Sequence, residues 1–348
     1  MSRLYLDSGF VDARLWFDDP APFVVALGGR GIGKTFGALS VFATGSASAG
    51  KLVYMRRTQA QIDACKLPEL NPFKSVNAVC GTNILLTSMG KYTAGIYNGT
   101  EVDGVLRPDG EPRGIGIALS VFSNIRGVDG LGYETVIYDE FIKESHERPI
   151  KNEGDAFLNC YETLNRNREL QGRKPLKMIL LSNTNDLASP VLASMGLIEV
   201  IERMQRRGKE RSTAAGGAVS IYLYQDSPIS AAKKTTALYK LTNAGGDFAA
   251  MALDNAFSAA NYEFVEQRPI AEYTPLVSVG NVTVYRHKTQ RAFYVVRGLK
   301  AEQHYSTLPL NLKAFRHDHW YLYEALLNRE LRYSSAAVKI EFENVWRS

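Results

Sequence analysis

The sequence contains few residues of the kinds that form disulfides or bind transition metals. It has three cysteines and five histidines among 348 residues. Cys65, Cys80 and Cys160 lie far apart in the chain, and no pair has the spacing of a metal site. This argues against a disulfide-rich secreted scaffold. We expect a reducing cytoplasm, in which the three thiols are small core residues.

Long hydrophobic runs are also absent. No apolar run reaches the roughly 18 residues that a membrane-spanning helix needs. The N-terminus has no charged leader followed by an apolar core. We therefore expect a soluble protein without a membrane partner. The length is large for a single hydrophobic core, so two domains are the first expectation.

Charge is nearly balanced over the whole chain but is unevenly distributed. The formal net charge is +5. Residues 1–199 contain 21 Lys and Arg against 22 Asp and Glu, whereas residues 200–348 contain 20 against 14. The basic excess lies in the second half. It fits either a polyanionic partner or an ordinary solvated basic surface, and charge alone does not separate the two.

A glycine-rich segment follows the first apolar run. Five apolar residues from Phe23 lead directly into the pattern G-x-x-x-x-G-K-T. This predicts a buried strand, a phosphate-binding loop and a helix whose N-terminus faces the phosphates. Lys34 would reach the β- and γ-phosphates, and the Thr35 hydroxyl would hold Mg²⁺. The expected ATP-binding residues are Gly28, Gly29, Arg30, Gly31, Ile32, Gly33, Lys34 and Thr35.

Two acidic residues end a later apolar segment, Thr135–Tyr138 followed by Asp139 and Glu140. An acid pair at a strand end is common, but its position about 100 residues after a phosphate loop makes it informative. Asp139 would bind Mg²⁺ beside Thr35, and Glu140 would orient the attacking water. A water-activating glutamate directly after the metal aspartate favours hydrolysis over phosphorylation of a small substrate.

Apolar strands alternate with helical patterns along the first 200 residues. The strands are continuously apolar, which is typical of a mostly parallel sheet covered on both faces by helices. Residues 83–120 contain the hairpin signals Asn98-Gly99, Asp103-Gly104 and Asp109-Gly110. Residues 203–217 have the composition of a mobile linker or a loop. We divide the chain into residues 1–200, a linker or lid region at 201–258, and a C-terminal domain at 259–348.

The C-terminal domain is dominated by strand patterns. Residues 276–285 and 292–297 form an antiparallel pair by pattern, joined by a basic turn at 286–291. Helices are expected at about 230–241 and 317–329.

Several polar residues have both a functional and a structural interpretation. Asn183 ends an apolar strand, where it either senses the γ-phosphate or simply ends the strand. Arg166 and Arg168 lie near the end of a helical segment, where they either enter a neighbouring subunit's site or stabilise the helix C-terminus; position alone favours the second. Arg56 and Arg57 fit either switch contacts or plain surface charge.

Together these motifs resemble the DNA packaging ATPases of small phi29-type tailed phages. The similarity covers the first 200 residues well and is weaker beyond them. The motifs that carry it, in chain order, are residues 28–35, 54–57, 119–122, 135–142, 165–169, 181–183 and 253–257.

The resemblance implies a P-loop ATPase of the additional-strand-Glu type, followed by a smaller α+β, RNase H-like domain that has lost nuclease activity. Family members form a ring, usually of five subunits, at the portal of the empty prohead. They use ATP and Mg²⁺ to drive double-stranded DNA into the capsid, in the host cytoplasm. A packaging RNA takes part in the type member.

By motif, Arg166 falls at the family's trans-acting arginine finger, with Arg168 as the fallback. From its place at the strand end, we assign Asn183 as a sensor that couples the γ-phosphate state to domain motion. The loss of nuclease activity agrees with the absence of Asp and Glu from residues 276–285 and 292–297. Arg126, Arg286, Lys288 and Arg291 are expected to contact DNA. Two rivals remain open at this point: a helicase or related remodelling ATPase, and a nucleotide-gated assembly protein with little turnover.

Overall fold

The computed structural model describes residues 4–45, 50–125, 132–144, 146–184, 186–225, 227–233, 235–241 and 257–347. The chain divides into two compact units, Met1–Phe257 and Ser258–Ser348. No helix among these residues is both long and apolar enough to cross a membrane.

The first unit is built on a nine-stranded sheet with the order β3-β4-β5-β2-β6-β7-β1-β9-β8. Six adjacent strands, β5, β2, β6, β7, β1 and β9, are parallel to one another. The flanking strands β4 and β8 run antiparallel to them. The strands are β1 Phe23–Gly28, β2 Leu52–Arg56, β3 Ile84–Ser88, β4 Thr93–Val102, β5 Val105–Ala118, β6 Thr135–Asp139, β7 Lys177–Asn183, β8 Arg211–Ala214 and β9 Val219–Tyr224. A mixed α/β fold with a large, mostly parallel sheet is therefore confirmed.

The helices of this unit are α1 Arg14–Phe17, α2 Lys34–Ala43, α3 Gln59–Cys65, α4 Lys74–Cys80, α5 Glu153–Asn165, α6 Pro190–Ser194, α7 Ile198–Arg206, α8 Pro228–Lys233 and α9 Ala237–Leu241. Apolar side chains of α1 to α4 form a core with those of the strands. Burial explains the continuous apolar runs, since every residue of β6 and all but the first of β1 are buried.

The two edges of the parallel part of the sheet differ in what they contain. The strands end at a carboxyl edge, where Gly28, Asp139 and Asn183 lie in neighbouring strands. They begin at an amino edge, which is marked by Phe23, Thr135 and Lys177. In sheets of this kind, ligands bind at the carboxyl edge.

The linker prediction for residues 203–217 is wrong. Residues up to 206 belong to α7, and Arg211–Ala214 form the edge strand β8. The following strand, β9, is fully buried and pairs in parallel with β1. Charged residues are compatible with an edge strand, because one of its sides faces solvent.

Two of the three hairpin signals do not form turns. Asp103-Gly104 lies at the tip of the β4–β5 hairpin, but Asn98-Gly99 and Asp109-Gly110 lie within the two strands and face one another. The long antiparallel pairing prevails over the local turn propensity.

The second unit contains a five-stranded mixed sheet with the order β13-β10-β11-β12-β14. Its strands are β10 Tyr273–Val279, β11 Val282–His287, β12 Phe293–Arg297, β13 His304–Tyr305 and β14 Leu331–Tyr333. Its helices are α10 Pro309–Asp318, α11 Trp320–Leu327 and α12 Ala336–Arg347.

Two sequence predictions for this unit need correction. Residues 276–285 are not one strand, because a tight turn at Gly280-Asn281 divides them into β10 and β11. Gly280 has a φ of 58°, which glycine adopts without strain. The helix expected at 317–329 is also replaced by α10 and α11, which meet at His319.

Candidate functional site

The loop between β1 and α2 lies at the carboxyl edge of the sheet. Gly31 and Gly33 have φ values of 72° and 90°, and Gly33 directly precedes the first turn of α2. A Cβ on Gly28 would lie 2.7 Å from Ile32 Cδ1 and 2.8 Å from Tyr224 Cβ. The glycines are therefore required by backbone conformation and by close packing, as expected of a loop whose amides must face an anion.

Lys34 is almost completely buried, with 7% of its surface exposed. Its ammonium group donates to Gly28 O at 2.9 Å, to Gly29 O at 2.7 Å and to Asn183 Oδ1 at 3.1 Å. Burial is the main cause that lowers the pKa of Lys34, to about 7. Two carbonyls and an amide thus hold this side chain beneath the loop, at the position from which a lysine reaches a bound phosphate.

Asp139 lies opposite Thr35 at the end of β6. The Thr35 hydroxyl donates to Asp139 Oδ1 at 2.9 Å, and Tyr54 OH donates to Asp139 Oδ2 at 3.0 Å. Arg56 Nη1 is 3.2 Å from the same Oδ2. A hydroxyl and a carboxylate this close are suitable oxygen ligands for Mg²⁺.

A Mg²⁺ site of this kind needs few protein ligands. Among the described residues, no group of three or more His, Cys, Asp or Glu side chains has the arrangement of a metal site. Mg²⁺ instead binds through one or two protein oxygens, completed by substrate phosphates and water. Thr35 and Asp139 therefore fit a metal that is held together with a nucleotide.

Glu140 follows Asp139 with a left-handed backbone, at a φ of 53°. This conformation is strained for a non-glycine residue, and such residues concentrate at functional sites. The side chain is half-exposed and forms an ion pair with Arg56. Burial raises the pKa of Glu140 more than the charge of Arg56 lowers it. A carboxylate with a raised pKa beside a metal-binding aspartate is suited to position or deprotonate water.

These residues border a cavity of about 1040 Å³. The phosphate loop, Asp139, Glu140 and Asn183 form its polar side. Its other walls come from the N-terminal segment 6–14 and from one face of α2, and most of its surface is apolar. The site therefore joins a charged end to a larger apolar compartment, a combination typical of pockets that hold a small organic ligand.

The structure does not bring every predicted residue to this cavity. Arg166 is exposed at the C-terminus of α5, next to Asn165, which accepts a hydrogen bond from Leu176 N at the amino edge. Arg168 is fully buried, donates to the Tyr133 carbonyl and pairs with Glu134 of its own chain. A buried and internally paired arginine cannot enter a neighbouring site, so the fallback interpretation of Arg168 is wrong.

The residues expected to contact DNA are described only in part. Arg126 lies outside the described residues. In the second unit, Arg286 and Lys288 are exposed, and Lys288 donates to Ala271 O at 2.7 Å. Arg291 is 68% exposed and pairs with Glu330 at 3.1 Å. The basic turn is therefore on the surface of its unit.

Sequence patterns do not identify two parts of the site. They fit Arg56 as either a switch contact or surface charge, whereas the structure shows that it bridges Asp139 and Glu140. Arg57 is fully buried and pairs with Glu153 at 2.7 Å and Glu147 at 2.9 Å, so surface charge is wrong for both arginines. The N-terminal wall of the cavity had no signal, because its apolar residues follow no periodic pattern.

Comparison with known proteins adds evidence that is independent of this geometry. The sequence profile described as "Podovirus DNA encapsidation protein (Gp16)" matches residues 103–297, which is more than half of the chain. This chain belongs to that family. The Gp16 family match includes Asp139, Glu140, Arg166 and Asn183 and extends into the second unit, and it confirms the resemblance to the phi29-type proteins.

Individual proteins of known name match this chain over only part of its length. The "DNA packaging protein" of Bacillus phage PZA is 28% identical over 161 residues, which is 46% of this chain and 44% of that protein. The chain thus matches somewhat less than half the length of this curated relative.

Two solved structures are similar along nearly the whole chain. "The bacteriophage Phi-29 viral genome packaging motor assembly" has a TM-score of 0.63 at 19% identity and covers 99% of both chains. "The Phi-28 gp11 DNA packaging Motor" has a TM-score of 0.61 at 16% identity and covers 96% of both. At these identities the likeness shows a shared fold.

Proposed function

We propose that this chain is an ATP-driven motor that moves viral double-stranded DNA into a preformed capsid through the portal. The observation that carries the proposal is the geometry at the carboxyl edge, where Lys34 and the pair Thr35–Asp139 face one cavity with Glu140. That set can bind a magnesium nucleotide and activate water. Membership of a DNA encapsidation family supplies the biological context.

Each residue has a distinct role in this proposal. Lys34 and the loop amides bind the phosphates of ATP, and Thr35 and Asp139 hold Mg²⁺, which stabilises the developing charge. Glu140 orients the attacking water. Asn183 couples the γ-phosphate to the rest of the domain through Lys34, to which it is hydrogen-bonded at 3.1 Å. The apolar walls of the cavity accommodate the base.

We assign the first unit to the additional-strand-Glu type of P-loop ATPase. Support comes from β7, which lies between β1 with the phosphate loop and β6 with the acid pair. The domain boundaries follow the two compact units, so that α7, β8 and β9 belong to the ATPase unit.

We further propose that the second unit is an RNase H-like domain without nuclease activity. Its three central strands carry no acid in the described structure. Strands β10 and β11 instead contain the buried Ser278 and Thr283, whose hydroxyls are 2.7 Å apart. A two-metal nuclease requires clustered carboxylates. The exposed Arg286, Lys288 and Arg291 suit contact with the DNA backbone instead.

The family resemblance supplies the rest of the proposal. We infer a ring, usually of five subunits, that acts with the portal and prohead and with a packaging RNA. The protein would reside transiently at the portal vertex in the host cytoplasm. Arg166 from one subunit would complete the site of the next.

The proposal is tested by ATP hydrolysis with the full chain and Mg²⁺, with and without double-stranded DNA and cognate proheads. We expect turnover that double-stranded DNA stimulates regardless of sequence, with binding that weakens steeply as salt rises. Nucleotide binding without turnover under every condition would instead indicate the assembly protein. Strand separation on forked DNA, with stimulation by single strands, would indicate a helicase.

A further inference from the structure

The short helix α8 lies beside the phosphate loop because of the strand that precedes it. β9 pairs with β1 in parallel register up to Gly28 and Tyr224, so the chain leaves β9 at the same edge at which the loop begins. Pro228, the first residue of α8, packs against the N-terminal segment, since a Cβ on Gly9 would lie 3.1 Å from its Cβ. This packing holds α8 against the loop side of the unit.

Lys233, the last residue of α8, reaches the phosphate loop itself. Its ammonium donates a hydrogen bond to the main-chain carbonyl of Arg30. A methyl group at Gly31 would overlap this ammonium group. Lys233 thus occupies the space that the glycine leaves open, and no motif in the sequence had indicated it.

The main-chain carbonyl of Arg30 is a neutral partner for the Lys233 ammonium, and burial lowers the pKa of Lys233. The Arg30 side chain is a second cation at this end of the loop and pairs with Glu144. Ordering a long, partly buried lysine side chain costs conformational entropy and solvation, and a bound anion would offset both.

We propose that Lys233 is a ligand of the nucleotide's phosphates, supplied in cis by the helix that follows β9. The carbonyl of Arg30 holds the ammonium at the rim of the loop, and a bound polyphosphate replaces that carbonyl as the acceptor. The inference deepens the proposed ATP site and rests on it for the identity of the anion. Its consequence is that the segment leading to the second unit carries a direct contact to the phosphates.

The test measures binding of fluorescent ATP and of adenosine by the full chain. Lys233→Met should weaken ATP binding about tenfold, as expected for the loss of one charge-assisted hydrogen bond. Adenosine binding should not change, and Lys233→Arg should recover most of the ATP affinity. Lys240→Met, on the exposed face of α9, is the matched control and should behave like the wild type.

Two outcomes would overturn the inference. Unchanged ATP affinity in Lys233→Met would show that the lysine does not contact the phosphates. Equal losses for ATP and adenosine would show that it only holds α8 in place. Thermal protection of the same variants by tripolyphosphate distinguishes failure of this inference from failure of the proposed function. A wild-type chain that does not bind ATP would contradict the nucleotide site. Tripolyphosphate would still test whether Lys233 binds the anion.

Discussion

The amino and carboxyl edges of the large sheet both bury charge, but they stabilise it differently. At the amino edge, Asp19 accepts hydrogen bonds from Tyr222 at 2.7 Å and Ser220 at 2.8 Å, and it pairs with Arg211 at 2.7 Å. Burial opposes ionisation of Asp19. The hydrogen bonds from Tyr222, Ala21 and Ser220 and the charge of Arg211 outweigh it, so the pKa of Asp19 is lowered. The folded chain thus stabilises this charge by itself.

At the carboxyl edge the balance is reversed. Burial lowers the pKa of Lys34 and raises the pKa of Glu140, so each shift favours the neutral form. Both groups border the cavity and are incompletely compensated by the chain. A charge that the protein destabilises beside a cavity indicates a ligand or a reaction, whereas a charge that it stabilises indicates architecture. Mutations of charges that the chain stabilises should therefore lower stability, whereas mutations of charges that it destabilises beside the cavity should lower binding or turnover.

Arg166 gives the strongest test of this comparison, because it lies at the amino edge and is nevertheless proposed to act in catalysis. Arg166→Ala should lower turnover of the assembled motor by about three to five orders of magnitude, as for other trans-acting arginines. Mixing these subunits with Glu140→Gln subunits, which keep Arg166, should restore part of the activity. A complete absence of recovery at every mixing ratio would contradict action between subunits.

Arg168→Ala is the matched control for Arg166→Ala. Because Arg168 is buried and its partners are in its own chain, its loss should lower the free energy of unfolding by about 2 kcal/mol. Chemical denaturation measures this effect. If Arg168→Ala were stable and had the catalytic defect expected for Arg166→Ala, Arg168 would be the trans-acting arginine and Arg166 would not.

Glu140→Gln sharpens the comparison at the carboxyl edge. The amide keeps the size of the side chain but cannot act as a base, so turnover should fall by about two to four orders of magnitude. ATP binding should persist, because Lys34, Thr35 and Asp139 are unchanged. Glu134→Gln, at the half-exposed partner of Arg168, is the control and should leave turnover near the wild-type rate. Substantial hydrolysis by Glu140→Gln would remove its assigned role.

The local part of the site was predictable from sequence. The phosphate loop needs a strand, a glycine-rich turn and a helix in immediate succession, and all three are contiguous between Phe23 and Ala43. The acid pair at 139–140 was predictable for the same reason. Such motifs join residues that are neighbours in the chain, so their geometry follows from local conformation.

The remainder depends on pairing between distant segments. The position of β9 beside β1 depends on pairing between strands that are 196 residues apart in the chain. The burial of Arg57 depends on Glu147 and Glu153, which lie about 90 residues later. The contact from Lys233 to the loop depends in turn on β9. No composition or spacing within one segment specifies these contacts.

Asp19 tests the stabilised charge of the amino edge. Asp19→Asn should lower the free energy of unfolding at pH 7 by about 2–3 kcal/mol, because the carboxylate accepts four bonds and balances Arg211. Asp63→Asn removes an aspartate that is half-exposed and paired with Lys66, and should change stability by less than about 1 kcal/mol. Denaturation in urea compares the two variants. Similar effects would remove the distinction between buried and surface charge.

The stability difference between the wild type and Asp19→Asn should depend on pH in a defined way. The pKa of Asp19 is lower in the folded state than in the unfolded state, so its ionisation contributes stability above the unfolded value of about 3.9. That contribution is lost as the pH falls through the folded pKa. The wild type should therefore lose its advantage over Asp19→Asn only below about pH 4, and a loss between pH 5 and 7 would contradict this assignment.

Lys34 gives the smallest but most specific effect, because its destabilised charge should become visible when nucleotide binds. With its pKa lowered to about 7, the side chain is mostly neutral at pH 8 without ligand. Polyphosphate favours the ammonium form, so binding should be accompanied by proton uptake at this position. Calorimetry at pH 8 in buffers of different ionisation enthalpy measures this uptake. Lys34→Arg has a permanent charge and should bind with little uptake from this position. Equal proton uptake by the two proteins would show that another group titrates on binding. It would contradict the conclusion that the fold destabilises the charge of Lys34.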